Sequence, residues 1–271
     1  MLLVTDAIQH ADKQPVVNLK AIALPAQHGV WGFWLEPSLA ALIAAPSWSG
    51  FFLSLAGLML LLLHHPLMIV VKDRQRRKTY TRTRPAAQFA AAYALGGVVF
   101  FLLALYLGGA QFLPLLLAAL PFVLAQLYFE TQNLSRNMLA EIAGSLIFAC
   151  LAPAIVYITR PEPLLAVGIW SVLAVRNVTS ILYVRARLRL EKGKNISPRP
   201  VLVAHLLGLA TLLLLSAASV IPAVLVAVGI FLTVRAALGL TTFRRPAAAR
   251  VIGFREVSYG LLIALIIGIT L

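Results

Sequence analysis

The 271-residue chain is 61% hydrophobic and only 12% charged, with a formal net charge of +14 and a mean hydropathy of +0.92. Soluble domains are about half apolar and about a quarter charged, so these proportions exclude a water-soluble enzyme and leave no separate soluble domain of useful size. The single cysteine, Cys150, excludes an intramolecular disulfide and a cysteine-based metal cluster.

The first 23 residues mix Asp6, Asp12, Lys13 and Lys20 with scattered apolar side chains and lack the basic-apolar-small order of a cleaved leader. Residues 1–27 are expected to form a cytoplasmic N-terminal segment, and 28–271 a single transmembrane helical domain. Apolar runs near the length needed to cross hydrocarbon then follow, roughly at 28–46, 50–71, 87–107, 110–129, 139–158, 163–183, 200–217, 219–240 and 252–271. The expected fold is an all-α polytopic transmembrane bundle of about nine spans. Eight is the competing count, because the seventh and eighth runs nearly touch.

Positive charge marks the cytoplasmic ends of membrane helices. With the N-terminus inside, the basic stretches after spans two, four, six and eight all fall inside, and Arg160 is the one cation expected on the other face. The charge therefore reads as topology and contact with anionic lipid headgroups rather than as a nucleic-acid footprint. The expected location is the bacterial inner membrane.

Ionisable groups inside spans are costly and tend to face protein or a watery cavity. Glu36 lies about 12 Å along its helix from His28, and Arg176 with Asn177 lies about 12–14 Å in from Arg185. Glu141, Arg235 and Glu256 sit nearer the inner ends, where structural ion pairs are the simpler reading. All fall in the cytoplasmic half, which points to a chamber open to the cytosol in which Arg176 or Arg235 partners Glu36. Trp31, Trp34 and Trp48 suit interface anchors, with Trp31 also a candidate wall of the site.

His64 and His65 are adjacent and project about 100° apart on a helix, which is poor geometry for one metal. No phosphate-binding glycine loop, zinc motif or nucleophile triad stands out. No metal site is expected, and no cofactor is named by any motif. What remains is arginine chemistry suited to phosphate or carboxylate. Arg176 with Asn177, then Arg185 and Arg187, and Arg82 with Arg84 supply two cationic jaws. Of these, Arg176, Asn177, Arg185, Arg82 and Arg84 are candidate anion contacts, joined by Trp31, His64, Asp73 and Glu141 as substrate-binding candidates, with His28 and Glu36 as acid/base or positioning groups.

Two resemblances follow from these residues. The stretch "LPAQHGVWGFWLEP", with Pro25, Gln27, His28, Gly29, Trp31 and Pro37, resembles the N-terminal signature of the YwiC-like family of bacterial membrane proteins. The pattern of long basic stretches after spans two and six is similar to the UbiA prenyltransferase superfamily, with Asp73, Arg82, Arg84 and Pro85 in places comparable to its first aspartate-bearing loop. That likeness implies a UbiA-like arrangement around a cytoplasm-facing cavity. The superfamily's clustered aspartates for Mg2+ are reduced here to Asp73 in the first loop and Glu191 in the second. If the chain is an enzyme, the likeness implies a membrane transferase with degenerate acidic motifs. The expected function is binding or processing of an anionic, lipid-tailed or isoprenoid-like substrate. The alternative is a non-catalytic transporter or assembly factor.

Overall fold

Backbone amides in a bilayer find no water, so an apolar chain satisfies them within its own helices. The computed structural model describes residues 18–25, 29–134 and 136–271. It is all-α, with no strand among the described residues. Its helices in chain order are α1 (Leu19–Ala23), α2 (Val30–Ala44), α3 (Trp48–Gln75), α4 (Thr83–Gly108), α5 (Leu113–Leu117), α6 (Leu120–Thr131), α7 (Met138–Ala149), α8 (Leu151–Thr159), α9 (Pro163–Glu191), α10 (Arg199–Ala217), α11 (Val224–Leu240) and α12 (Ala249–Thr270).

With α5–α6 and α7–α8 each taken as one rod, seven helices among the described residues are long and apolar enough to cross a membrane. The protein is a polytopic membrane helix bundle. The other two expected spans correspond to α2, with 15 residues, and α11, with 17. Both are apolar but shorter than the roughly 20 residues of a full crossing.

Two departures from the expected elements have local causes. The fourth and fifth rods each break once, α5 ending at Leu117 and α7 at Ala149. Those are the residues whose carbonyls would have accepted from Pro121 and Pro153, which have no N–H to give. The sixth span continues to Glu191 instead of ending near 183, so Arg185, Arg187 and Arg189 are carried on a helix rather than a loop. Arginine and leucine are good helix formers. Gly193 ends the helix at φ +71, with its N–H donating to Leu190 O and that of Lys194 to Arg189 O, both at 3.0 Å.

The chain forms two compact units, one of Met1–Ala26 with Met59–Gly96 and the other of Gln27–Leu58 with Gly97–Leu271. In the first, Asn18 caps α1 by accepting from Ala21 N at 3.1 Å, and Ile22 is buried with Val70 and Ala86. The α1 carbonyls are tied down as well: Ala21 O lies 3.1 Å from His65 Nε2, and Ala23 O accepts from the Tyr93 hydroxyl at 3.2 Å.

In the second unit the most central rods are α7–α8 and α9, whose membrane-length stretches are each 61% buried, against 11% for α5–α6. The outward leucines of the latter suit lipid. Because lipid tails are as apolar as leucine, helices in a membrane associate by close packing. Helices α2 and α12 do this through small residues. Gly260, Ala264 and Gly268 recur every fourth position on α12 and are buried, and a Cβ at Gly268 would lie 2.9 Å from Ala40 O. This contact brings the Glu36 helix against the last helix of the chain.

Candidate functional site

Glu36 and Arg176 meet. Glu36 Oε1 lies 3.1 Å from Arg176 Nη2, and the side chains are only 9% and 5% exposed. The carboxylate is packed against glycines of both α2 and α12: a Cβ at Gly32 would stand 3.2 Å from Oε1, and one at Gly260 would overlap the carboxylate and approach Arg176 Nη2 to 2.7 Å. Arg176 Nη2 also donates to the Glu256 backbone carbonyl at 2.9 Å, and Nη1 donates to the Ser180 hydroxyl. Asn177, beside it, donates to Ser145 O at 3.2 Å. Glu36 is therefore closely packed between α2, α9 and α12 rather than standing in an open chamber.

A second buried pair continues from the first. Arg235 Nη1 on α11 donates to both Glu256 oxygens, at 2.7 and 2.6 Å. The Arg235 guanidinium stacks 4.3 Å from the centre of the Tyr183 ring, a favourable arrangement for a cation shielded from water. Its Nε and Nη2, although buried, have no hydrogen-bond partner among the described residues.

These residues border a cleft of about 390 Å³ between α9, α11, α12 and the connection at 241–248. Five arginines line it, Arg187, Arg235, Arg244, Arg245 and Arg255, against one carboxylate, Glu256. Its apolar walls include Phe231, Val234, Leu238 and Phe243. Arg187 holds the rim in place. Its side chain is 5% exposed and lies 2.8 Å from Glu191, while its two terminal nitrogens donate to the carbonyls of Gly239 and Arg245. Carbonyls at a helix C-terminus lack partners within the helix, so a buried arginine there both satisfies Gly239 and fixes the loop carrying Arg244 and Arg245.

The other candidates fall elsewhere. His28 lies outside the described residues. Trp31 is half-buried in the first turn of α2. Glu141 and Arg185 pair at 2.7 Å, with side chains 38% and 30% exposed, and Arg185 also donates to Arg136 O at 3.2 Å. His64, Asp73, Arg82 and Arg84 belong to the first unit, where His64 and Arg84 are exposed. Asp73, with no exposed side-chain area, accepts from Arg82 Nη2 at 3.0 Å and from the Thr83 hydroxyl at 2.8 Å. The bond to Asp73 pushes the Arg82 guanidinium still further up, so it stays cationic.

The Mg2+ chemistry implied by the UbiA-type likeness finds a poor donor set. Asp73 is already bound by Arg82 and Thr83, Glu191 is paired with Arg187, and no three His, Cys, Asp or Glu side chains gather as a metal site among the described residues.

Comparison with known proteins bears on the α2 end of this arrangement. The sequence model of the YwiC-like protein family matches residues 24–156. A protein of Haemophilus influenzae described as uncharacterized is 30% identical over 171 residues, covering 62% of this chain and 68% of that protein. The chain belongs to the YwiC-like family. No solved structure matches it. The family match contains Glu36 but not its partner Arg176, nor the cleft, which is built from residues 183–259.

Sequence reasoning counted Arg187 with Arg185 in a cationic jaw but did not assign Arg244, Arg245 and Arg255 to the site, and favoured a structural reading of Arg235 and Glu256. One signal was available. Arg235 and Glu256 carry opposite charges at similar depths on two helices joined by the short connection at 241–248, so an antiparallel pairing brings them level.

Proposed function

We propose that this YwiC-like protein is a multi-pass protein of the bacterial inner membrane, its N-terminus and basic helix ends in the cytoplasm, that binds an anionic amphiphile. The ligand is a lipid or isoprenoid-like molecule with a phosphate- or carboxylate-bearing head. The observation that carries this reading is the cleft, where five arginines and one glutamate stand beside apolar walls. Guanidinium groups bind such heads in bidentate fashion without a metal. The C-terminal ends of α9 and α11 and the N-terminal end of α12 meet there, and these are the ends that positive charge assigns to the cytoplasm. Arg244 and Arg245 contact the head in this reading. Glu36 and Arg176 position α12 behind them, Asn177 holds α9 to α7, and Arg82, Arg84 and Arg185 contact membrane headgroups.

The test is mass spectrometry of lipids that co-purify with the full chain in mild detergent. The wild type is expected to retain an anionic amphiphile. Each charge-assisted contact contributes about 1.5–3 kcal/mol, so the Arg244→Gln/Arg245→Gln double variant is expected to lose at least about tenfold of it. Equal retention by both proteins overturns the proposal in favour of a transporter or assembly role.

A further inference from the structure

The cleft is one-sided in its hydrogen-bonding capacity as well as in its charge. Several strong acceptors around it are already taken by buried guanidinium groups, among them the one carboxylate that lines it. Both Glu256 carboxylate oxygens accept from Arg235, and the Glu256 backbone carbonyl accepts from Arg176. The carbonyls of Gly239 and Arg245 accept from Arg187. Donors, by contrast, are left over. Arg235, with a side chain 7% exposed, keeps Nε and Nη2 unpartnered among the described residues. None of the ion pairs among the described residues involves Arg244, Arg245 or Arg255.

We propose that the Arg235–Glu256 pair makes the cleft a charge filter: it admits amphiphiles whose head carries negative charge only, as a phosphomonoester does, and rejects zwitterionic heads that bring an ammonium group. The proposal rests on the reading of the cleft as an amphiphile site and adds the class of head and the residues that select it. An ammonium group is donor-only and needs a carboxylate or free carbonyl. Here it meets a field of arginines whose one neighbouring carboxylate is engaged twice over by Arg235. Placing like charges together is the usual way a site discriminates against a competitor. A phosphomonoester brings only acceptors, which match the spare donors of Arg235 and the unpaired arginines at the rim. The tail has a path along α11, where Phe231, Val234 and Leu238 are exposed at helical spacing on the face that lines the cleft.

The experiment is native mass spectrometry of the full chain titrated with phosphatidic acid or phosphatidylethanolamine, with inorganic phosphate as a competitor. The wild type is expected to bind phosphatidic acid at least about tenfold more tightly, the ratio that a single like-charge contact of about 1.4 kcal/mol produces. Arg235→Gln frees the Glu256 carboxylate for an ammonium, so the two lipids are expected to bind within about threefold of each other, through a gain for phosphatidylethanolamine. The Arg235→Gln/Glu256→Gln variant leaves no unpaired buried carboxylate to compromise folding. It is expected to keep the preference with weaker phosphatidic acid binding. Equal wild-type binding of both lipids, or an unchanged ratio in Arg235→Gln, overturns the filter while leaving the amphiphile site standing. Binding of neither lipid, or binding indifferent to Arg244→Gln/Arg245→Gln, overturns the site itself. Displacement of phosphatidic acid by equimolar inorganic phosphate identifies a soluble anion as the ligand and overturns the lipid filter.

Discussion

Both units use an arginine–carboxylate pair, and they use it differently. In the first, Asp73 is fully buried but its partner Arg82 is 49% exposed, and the two clip the turn between α3 and α4. In the second, both members of Glu36–Arg176 and of Arg235–Glu256 are at most 11% exposed. An exposed guanidinium can exchange its partner for water with little loss. A buried one cannot, because removing either member strands an uncompensated charge. The pairing chemistry is shared, and burial decides whether it is a fastening at a turn or a constraint on how helices assemble.

The largest effect is expected from breaking a buried pair on one side only. Glu36→Leu leaves Arg176 stranded and is expected to lower stability by about 3–5 kcal/mol, read as a drop in unfolding midpoint in detergent. The Glu36→Leu/Arg176→Leu double variant is expected to recover most of that loss, since two apolar side chains need no counter-charge. If the double variant is as unstable as the sum of the single variants, the pair is not the coupled unit described here.

A smaller effect should follow from filling the contact rather than removing the charge. Gly260→Ala adds a methyl where the Glu36 carboxylate lies. Its steric cost, about 1–3 kcal/mol, is expected to outweigh the gain of about 1 kcal/mol from replacing glycine within a helix. A stability equal to or above wild type in the same unfolding assay would mean that α2 and α12 are not as close as the structure has them. Smallest of the three, Arg82→Lys in the first unit keeps a cation beside the buried Asp73 carboxylate but loses the guanidinium fork, and is expected to cost about 1 kcal/mol or less. That loss should shrink as salt is raised, whereas the Glu36→Leu loss should be insensitive to salt. Equal salt responses would erase the contrast between the two units.

Much of the bundle was legible because hydropathy and helix length are properties of contiguous residues. All nine expected apolar segments coincide with helices or helix pairs, and the breaks before Pro121 and Pro153 follow from a missing N–H four residues on. The signature around Trp31 and Pro37 was likewise enough to identify the family. The meeting of Glu36 and Arg176 was expected from opposite charges at comparable depth. Their surroundings were not, because Gly260, more than two hundred residues away in the chain, closes the space that a chamber needed. The cleft was the least legible part. Arg244 and Arg245 read as ordinary cytoplasmic charge, and Arg187 as one of a row of anion-binding cations, since nothing local distinguishes such a contact from an arginine that turns back to bind Gly239 O.

Composition and periodicity alone thus determined that the chain is a helical membrane protein and which stretches are its apolar rods, because each of those properties is set within about twenty neighbouring residues. Only the tertiary structure decided which arginines are consumed and which are left with spare donors. Hydrogen-bond capacity is shared out among helices distant in sequence, and the allocation exists only once they are packed.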